Sequence, residues 1–163
     1  MKRRDVLRLA PALAAALLPG AGHAATELLT LELSGWPALR RSLAGRRAIV
    51  HLWGLSCAPC IDELSRWAAF IARQPQARVV MIEVEPADPA RILATLRRAG
   101  IALGVSAGHH YAVQGFPDER WRYSIDPSWG GELPRTLLLE AAGAMRAFSG
   151  TTDFAALQRW LQR

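Results

Sequence analysis

The stretch HLWGLSCAPCIDE, residues 51–63, holds both cysteines of the chain, Cys57 and Cys60, separated by Ala58 and Pro59. Before it, RRAIVHLWG (46–54) is a short apolar run rich in strand-forming residues that stops at Gly54, the pattern of a strand buried on both faces. After it the period changes: Ile61, Leu64, Trp67, Ala68 and Ile71 recur at helical spacing until Gln74-Pro75. Cys57 therefore falls where a buried strand hands over to a helix, with Pro59 suited to the first helical turn. A thiol at that point meets unpaired backbone N–H groups and the positive end of the helix dipole, and both favour the thiolate. Cys60 lies one turn deeper on the same side. The two sulfurs can close a disulfide, with Cys57 as the exposed attacker and Cys60 as the resolving thiol.

Three other uses of such a pair are open to weighing. A structural disulfide closing so small a loop constrains the unfolded chain little. A zinc site needs four ligands, and only the distant His109 and His110 could add to the pair. Two inert core thiols are at odds with an exported, oxidising setting. Redox exchange fits the pattern best.

Export is read from the first 25 residues, MKRRDVLRLAPALAAALLPGAGHAA. A basic start leads through an Ala/Leu stretch to small residues, the form of a signal peptide, and Gly22 and Ala24 place cleavage before Ala25. The domain division is thus 1–24 for the signal and 25–163 for one folded unit. The apolar run 9–18 is too short to cross ~30 Å of hydrocarbon. Arg3-Arg4 followed by Val6-Leu7 resembles a twin-arginine signal, an ordinary secretory signal being the alternative. The expected location is the periplasm, soluble after cleavage of the signal or anchored by its N-terminus if the signal is retained.

A chain of 163 residues with 51% hydrophobic content can bury a single core. Half of the net charge of +6 belongs to the leader, where Lys2, Arg3, Arg4 and Arg8 face only Asp5, which leaves +3 for the rest. The remaining Arg pairs are scattered, which argues against a nucleic-acid footprint. Along the mature chain, 28–33 reads as a short opening strand and SGWP (34–37) as a turn. ARVVMIEVE (77–85) is a strand, and Asp88 caps a helix ending at Gly100. LPRTLLLE (133–140) and GAMRAFSG (143–150) are two strands around a tight turn, followed by a helix capped by Thr151 or Thr152. Residues 101–131 show short apolar pieces between turn residues and support no firm assignment. Strands alternating with helices imply an α/β fold with a mixed sheet flanked by helices on both faces.

VHLWGLSCAPC resembles the thioredoxin-like proteins, in which a strand ending in Phe-Trp or Leu-Trp leads into a Cys-x-x-Cys at a helix start. LSGWPALRRSLAGRRAIVHLW and GGELPRTLLLE extend the resemblance to the exported TlpA/ResA-like branch over roughly 28–163. The resemblance implies a thioredoxin-like fold with an N-terminal β-hairpin and a cis-proline at Pro134, beside Leu133. It also implies a glutamate near the active site at Glu63 and a polar side chain under the resolving cysteine, here His51. Departures are Ser65 in place of a helix-kinking proline, Ser56 in place of the usual Trp before the first cysteine, and His51 itself.

From these follow the candidate roles. Cys57 and Cys60 carry the exchange, Pro134 faces them, and Glu63 or a neutral His51 could take the proton of Cys60. Trp53, Pro59 and Leu133 are candidates for contact with substrate, Trp53 being better suited to packing beneath the site. His109, His110, Tyr111, Trp121 and Trp129 could form a specificity surface, although turn and core roles suit them better. The redox-active disulfide needs no cofactor. The resemblance implies protein disulfides as substrates, a membrane electron donor of the DsbD/CcdA type and a monomer. The competing functions are a disulfide oxidase and a copper-binding chaperone using Cys57, Cys60 and a histidine or Met81.

Overall fold

The computed structural model describes residues 28–103 and 109–163. The signal peptide, its cleavage point and the paired arginines lie outside the described residues.

The chain runs through β1 (Leu28–Glu32), α1 (Trp36–Ser42), β2 (Ala48–Trp53), α2 (Ala58–Arg73), β3 (Arg78–Glu83) and α3 (Pro89–Arg98). It continues through β4 (His109–Gln114), α4 (Glu119–Ile125), β5 (Arg135–Leu139), β6 (Met145–Ser149) and α5 (Phe154–Gln162). The six strands form one sheet in the order β1-β4-β3-β2-β5-β6. The first four of that order are parallel to one another, while β5 is antiparallel to both β2 and β6. A mixed α/β sheet is thus what the alternation of patterns predicts.

β2 has β3 on one side and β5 on the other, and all six of its residues are buried. Its alternate side chains serve two cores. Ala48, Val50 and Leu52 join Trp36 and Leu39 of α1 and Trp121 and Ile125 of α4. Ile49 and Trp53 turn to the opposite face, toward Leu64, Trp67 and Phe70 of α2, Ile92 and Leu96 of α3, and Leu157 and Trp160 of α5. A strand sandwiched in this way must be apolar at almost every position, which is why it reads as a continuous run. The β5–β6 hairpin turns at Gly143, whose φ of 92° lies in the left-handed region that a residue with a Cβ rarely adopts.

Several expectations change. The expected N-terminal β-hairpin involves residues before Leu28, which lie outside the described residues; within them β1 pairs in parallel with β4, bringing Leu28 level with His110. The segment read as a turn at 34–37 is the entry to α1, with Pro37 in the first turn, where a missing N–H costs nothing. The last helix is capped by Asp153, whose carboxylate accepts the Ala156 N–H at 2.9 Å, and not by Thr151 or Thr152. The unassigned 101–131 stretch contains β4 and α4, with Asp118 capping the latter. Trp121 and Trp129 meet edge to face at 6.2 Å inside the core, so they form no surface. His110 is likewise buried and His109 exposed.

Candidate active site

β2 ends at Trp53, tied to the end of β3 by the Val84 N–H donating to the Trp53 carbonyl at 3.0 Å. The chain then turns through Gly54, Leu55 and Ser56, closed by the Cys57 N–H donating to the Gly54 carbonyl at 3.3 Å. Cys57 is the N-cap of α2: its backbone is extended (φ −84°, ψ 96°) and its sulfur accepts the Cys60 N–H at 3.2 Å. Sulfur thus occupies the place where a Ser or Asp oxygen ordinarily satisfies a free helix N–H. Cys57 and Cys60 are joined in a disulfide, their Cα atoms 5.2 Å apart. Cys57 is partly exposed and Cys60 fully buried, so an incoming sulfur reaches the first and not the second. Pro59 is exposed beside them in the first helical turn.

The Leu133–Pro134 bond is cis. In the β2–β5 ladder Leu52 stands opposite Arg135, so Pro134, one residue on, is level with Trp53 at the edge of the sheet that carries Cys57. The segment leading to it is held by Arg135, a buried guanidinium that donates to Asp126, to Glu132 Oε1 at 3.0 Å and to the hydroxyls of Ser128 and Ser149 at 2.9 and 2.7 Å. Leu133 is half-buried where the two cores meet. Trp53, a candidate substrate contact, is only 1% exposed and packs in the same cluster as Cys60; burial removes it from any docking surface.

Under the disulfide lies a polar cluster that joins four elements of the chain. His51 is completely buried on the α2 side of β2, its ring 4.5 Å from that of Trp67. Its Nδ1 is 3.0 Å from the hydroxyl of Thr136 on β5, and its Nε2 is 3.3 Å from Glu63 Oε1, out of line for a hydrogen bond. Burial carries the His51 pKa down to about 3, so the imidazole is neutral at pH 7 in spite of the carboxylate beside it. That neutral state is the one expected of a proton acceptor.

Glu63 is buried too, one helical turn beyond Cys60. Its carboxylate accepts the Trp67 indole N–H at 2.9 Å and, from the segment before α5, the Thr152 N–H at 2.9 Å and hydroxyl at 3.1 Å. The buried stripe of α2 is Cys60, Glu63, Leu64, Trp67 and Phe70; it shares Leu64 and Trp67 with the apolar set Ile61, Leu64, Trp67, Ala68 and Ile71 and is rotated from the rest of it to include Glu63, whose partners lie inside. Met81, the candidate third copper ligand, stands between His51 and His110 in the sheet register and is 1% exposed within the core.

One acid near the site carried no separate signal. Glu83 ends β3 level with Trp53 and is fully buried, its Oε1 accepting the Glu85 N–H at 3.1 Å. Burial pushes its pKa up to about 7; the backbone N–H groups of Glu85 and Leu55 oppose the rise and the Glu85 charge adds to it. The pattern EVE after a buried strand parallel to the cysteine strand was the available clue.

A mixed sheet with β2 at its centre, a Cys-x-x-Cys disulfide capping the following helix and a cis-proline level with it define a thioredoxin-like fold. Solved structures of that fold resemble the chain. A secreted Mycobacterium tuberculosis disulfide oxidoreductase homologous to E. coli DsbE matches with a TM-score of 0.56 and 15% identity over 75% of this chain and 84% of that one. A thioredoxin-related protein from Neisseria meningitidis serogroup B matches with a TM-score of 0.57 and 19% identity over 75% and 87% of the two chains. StoA from Bacillus subtilis matches with a TM-score of 0.51 and 19% identity over 72% and 83%. No protein-family model matches the chain, and no curated protein matches it.

Proposed function

We propose that the protein is an exported thiol–disulfide oxidoreductase that reduces disulfides in other proteins through Cys57 and Cys60. The observation that carries this reading is the unequal pair: an accessible sulfur capping a helix and a buried sulfur one turn behind it. In the reduced protein the Cys57 thiolate attacks one sulfur of a substrate disulfide and expels the other as a thiolate, which takes up a proton. The Cys60 thiol then loses its proton and attacks Cys57, closing the Cys57–Cys60 disulfide and releasing the second substrate thiol. Two electrons and two protons pass to the substrate. His51 and Glu63, both buried on the side of β2 that faces the helix carrying Cys60, are the candidate groups to receive the proton of Cys60. The half-buried Leu133, next to the buried Pro134, and the exposed Pro59 are the candidate contacts for a substrate segment.

A reducing direction is supported by the Ala-Pro dipeptide between the cysteines, which resembles the Gly-Pro of thioredoxin and lacks a histidine. The resemblance to the TlpA/ResA-like branch supports a periplasmic location, a membrane donor of the DsbD/CcdA type, and substrates such as apocytochrome c or a copper-centre protein. The test is reduction of insulin disulfides by the metal-free dithiol, together with trapping of partners on Cys60→Ala in the periplasm. Mixed disulfides at Cys57 are expected. Stoichiometric copper in the purified reduced protein without insulin reduction would replace this reading by the chaperone, and net oxidation of reduced substrates by the oxidase.

A further inference from the structure

Beyond the end of β3 the side chain of Glu85 turns to the active-site loop. One carboxylate oxygen accepts the Ser56 N–H at 2.7 Å and the other accepts the Ser56 hydroxyl at 2.5 Å. Ser56 immediately precedes Cys57, so both bonds act on the loop that presents the attacking sulfur. Two features show that the arrangement is built. The Glu85 N–H is itself held by the buried Glu83 carboxyl, which fixes where the Glu85 side chain departs from the backbone. Gly54 leaves room for it, since a Cβ at that position would stand 2.4 Å from the Glu85 carboxyl carbon. Ser56 is also one of the places where the chain departs from the resemblance, and a Trp there would have no hydroxyl to donate to Glu85.

We propose that Glu85 is a positioning residue of the exchange reaction: its carboxylate fixes the 54–57 loop through Ser56 and sets a negative charge beside Cys57 that keeps the dithiol reducing. This rests on the reductant reading above and deepens it. The physical reason is a balance. The start of α2 and the Cys60 N–H stabilise a thiolate at Cys57. A dithiol whose thiolate is stabilised strongly becomes an oxidant, because its reduced form is favoured. A carboxylate bonded to Ser56, the residue before Cys57, disfavours a second negative charge there and moves the balance back.

Three variants separate charge from tether. Glu85→Gln removes the charge and keeps one acceptor oxygen for the Ser56 N–H, while its amide N–H can donate to the Ser56 hydroxyl oxygen. Ser56→Ala keeps the charge and the backbone bond and removes the hydroxyl bond. Gly54→Ala keeps the charge and displaces it from Ser56. The readouts are the pH dependence of Cys57 alkylation and the equilibrium of the dithiol with glutathione. Glu85→Gln is expected to lower the Cys57 pKa by about half a unit to one unit and to shift the equilibrium toward the reduced form by about three- to tenfold, tenfold being ~30 mV for this couple. Gly54→Ala is expected to shift both in the same direction and to slow attack, and Ser56→Ala to slow attack with the equilibrium kept within about twofold. A folded Glu85→Gln protein with wild-type alkylation profile and wild-type equilibrium overturns the proposal. The shift is measured against the wild-type protein, so a wild type that proved oxidising would sink the reductant reading while the Glu85 effect was still read separately.

Discussion

Replacing Glu83 by Gln tests the buried carboxyl beneath the active-site loop. An ordinary glutamate titrates at 4.5, and burial raises this one to about 7. The displacement corresponds to about 3 kcal/mol of difference between the protonated and ionised folded states. Its sign follows from linkage. The folded chain holds the proton more tightly than the unfolded chain, so the stabilisation is complete below pH 4.5 and is lost as pH rises through 7. Gln in place of Glu has no proton to lose. The stability of Glu83→Gln minus that of wild type should therefore rise by about 3 kcal/mol between pH 4 and pH 8, whatever constant offset the altered hydrogen bonds introduce. Urea unfolding followed by tryptophan fluorescence measures both proteins, and keeping them oxidised stops the thiols from titrating. His51 imposes the opposite trend: its lowered pKa makes acid destabilising between about pH 6.5 and pH 3. That trend is common to both proteins and cancels in the difference. Stability curves that stay parallel from pH 4 to pH 8 would refute the claim that Glu83 is held protonated by burial.

In the reduced protein Cys57 should alkylate before Cys60 and with a pKa below about 8.5, as its capping position requires; faster labelling of Cys60, read by peptide mass, would reverse the assignment. His51→Leu should slow resolution of the mixed disulfide by at least about tenfold with attack nearly unchanged, since general-base help is commonly worth 10²–10⁴-fold. Stopped-flow rates for the two steps decide this, and wild-type values in both would leave His51 a packing role. Arg135→Met should cost about 3 kcal/mol in urea unfolding, because it leaves the buried Asp126 carboxylate without its partner; a loss below about 1 kcal/mol would mean that the network does not hold the segment before Pro134.

What the sequence determined alone was local. The run 48–53 is apolar at nearly every position because both its faces are covered, and the Cys-Ala-Pro-Cys that follows carries its own helix-start chemistry. These two signals fall within thirteen residues, 48–60, and suffice for the strand, the helix and the redox pair. Asp88 was legible as a cap for the same reason, since a cap acts on residues next to it. Pro134 was placed by resemblance; nothing in LPR itself specifies a cis bond. The segment 109–125 was unreadable because HHYAVQ lacks a clean alternation: β4 is covered by β1 and β3, and His110 turns inward where an apolar residue would have marked the face. Thr152 looked like a helix cap until the fold gave it another use. Its N–H and hydroxyl are held by Glu63, 89 residues earlier, and the capping passed to Asp153. Glu63 and His51 were placed near the cysteines by resemblance, but their partners, Thr152 and Thr136, lie on elements remote in the chain. Whether a charged or titratable side chain is buried, and therefore which proton it keeps, depends on what the fold lays against it. Only the tertiary structure brings those partners within hydrogen-bond reach.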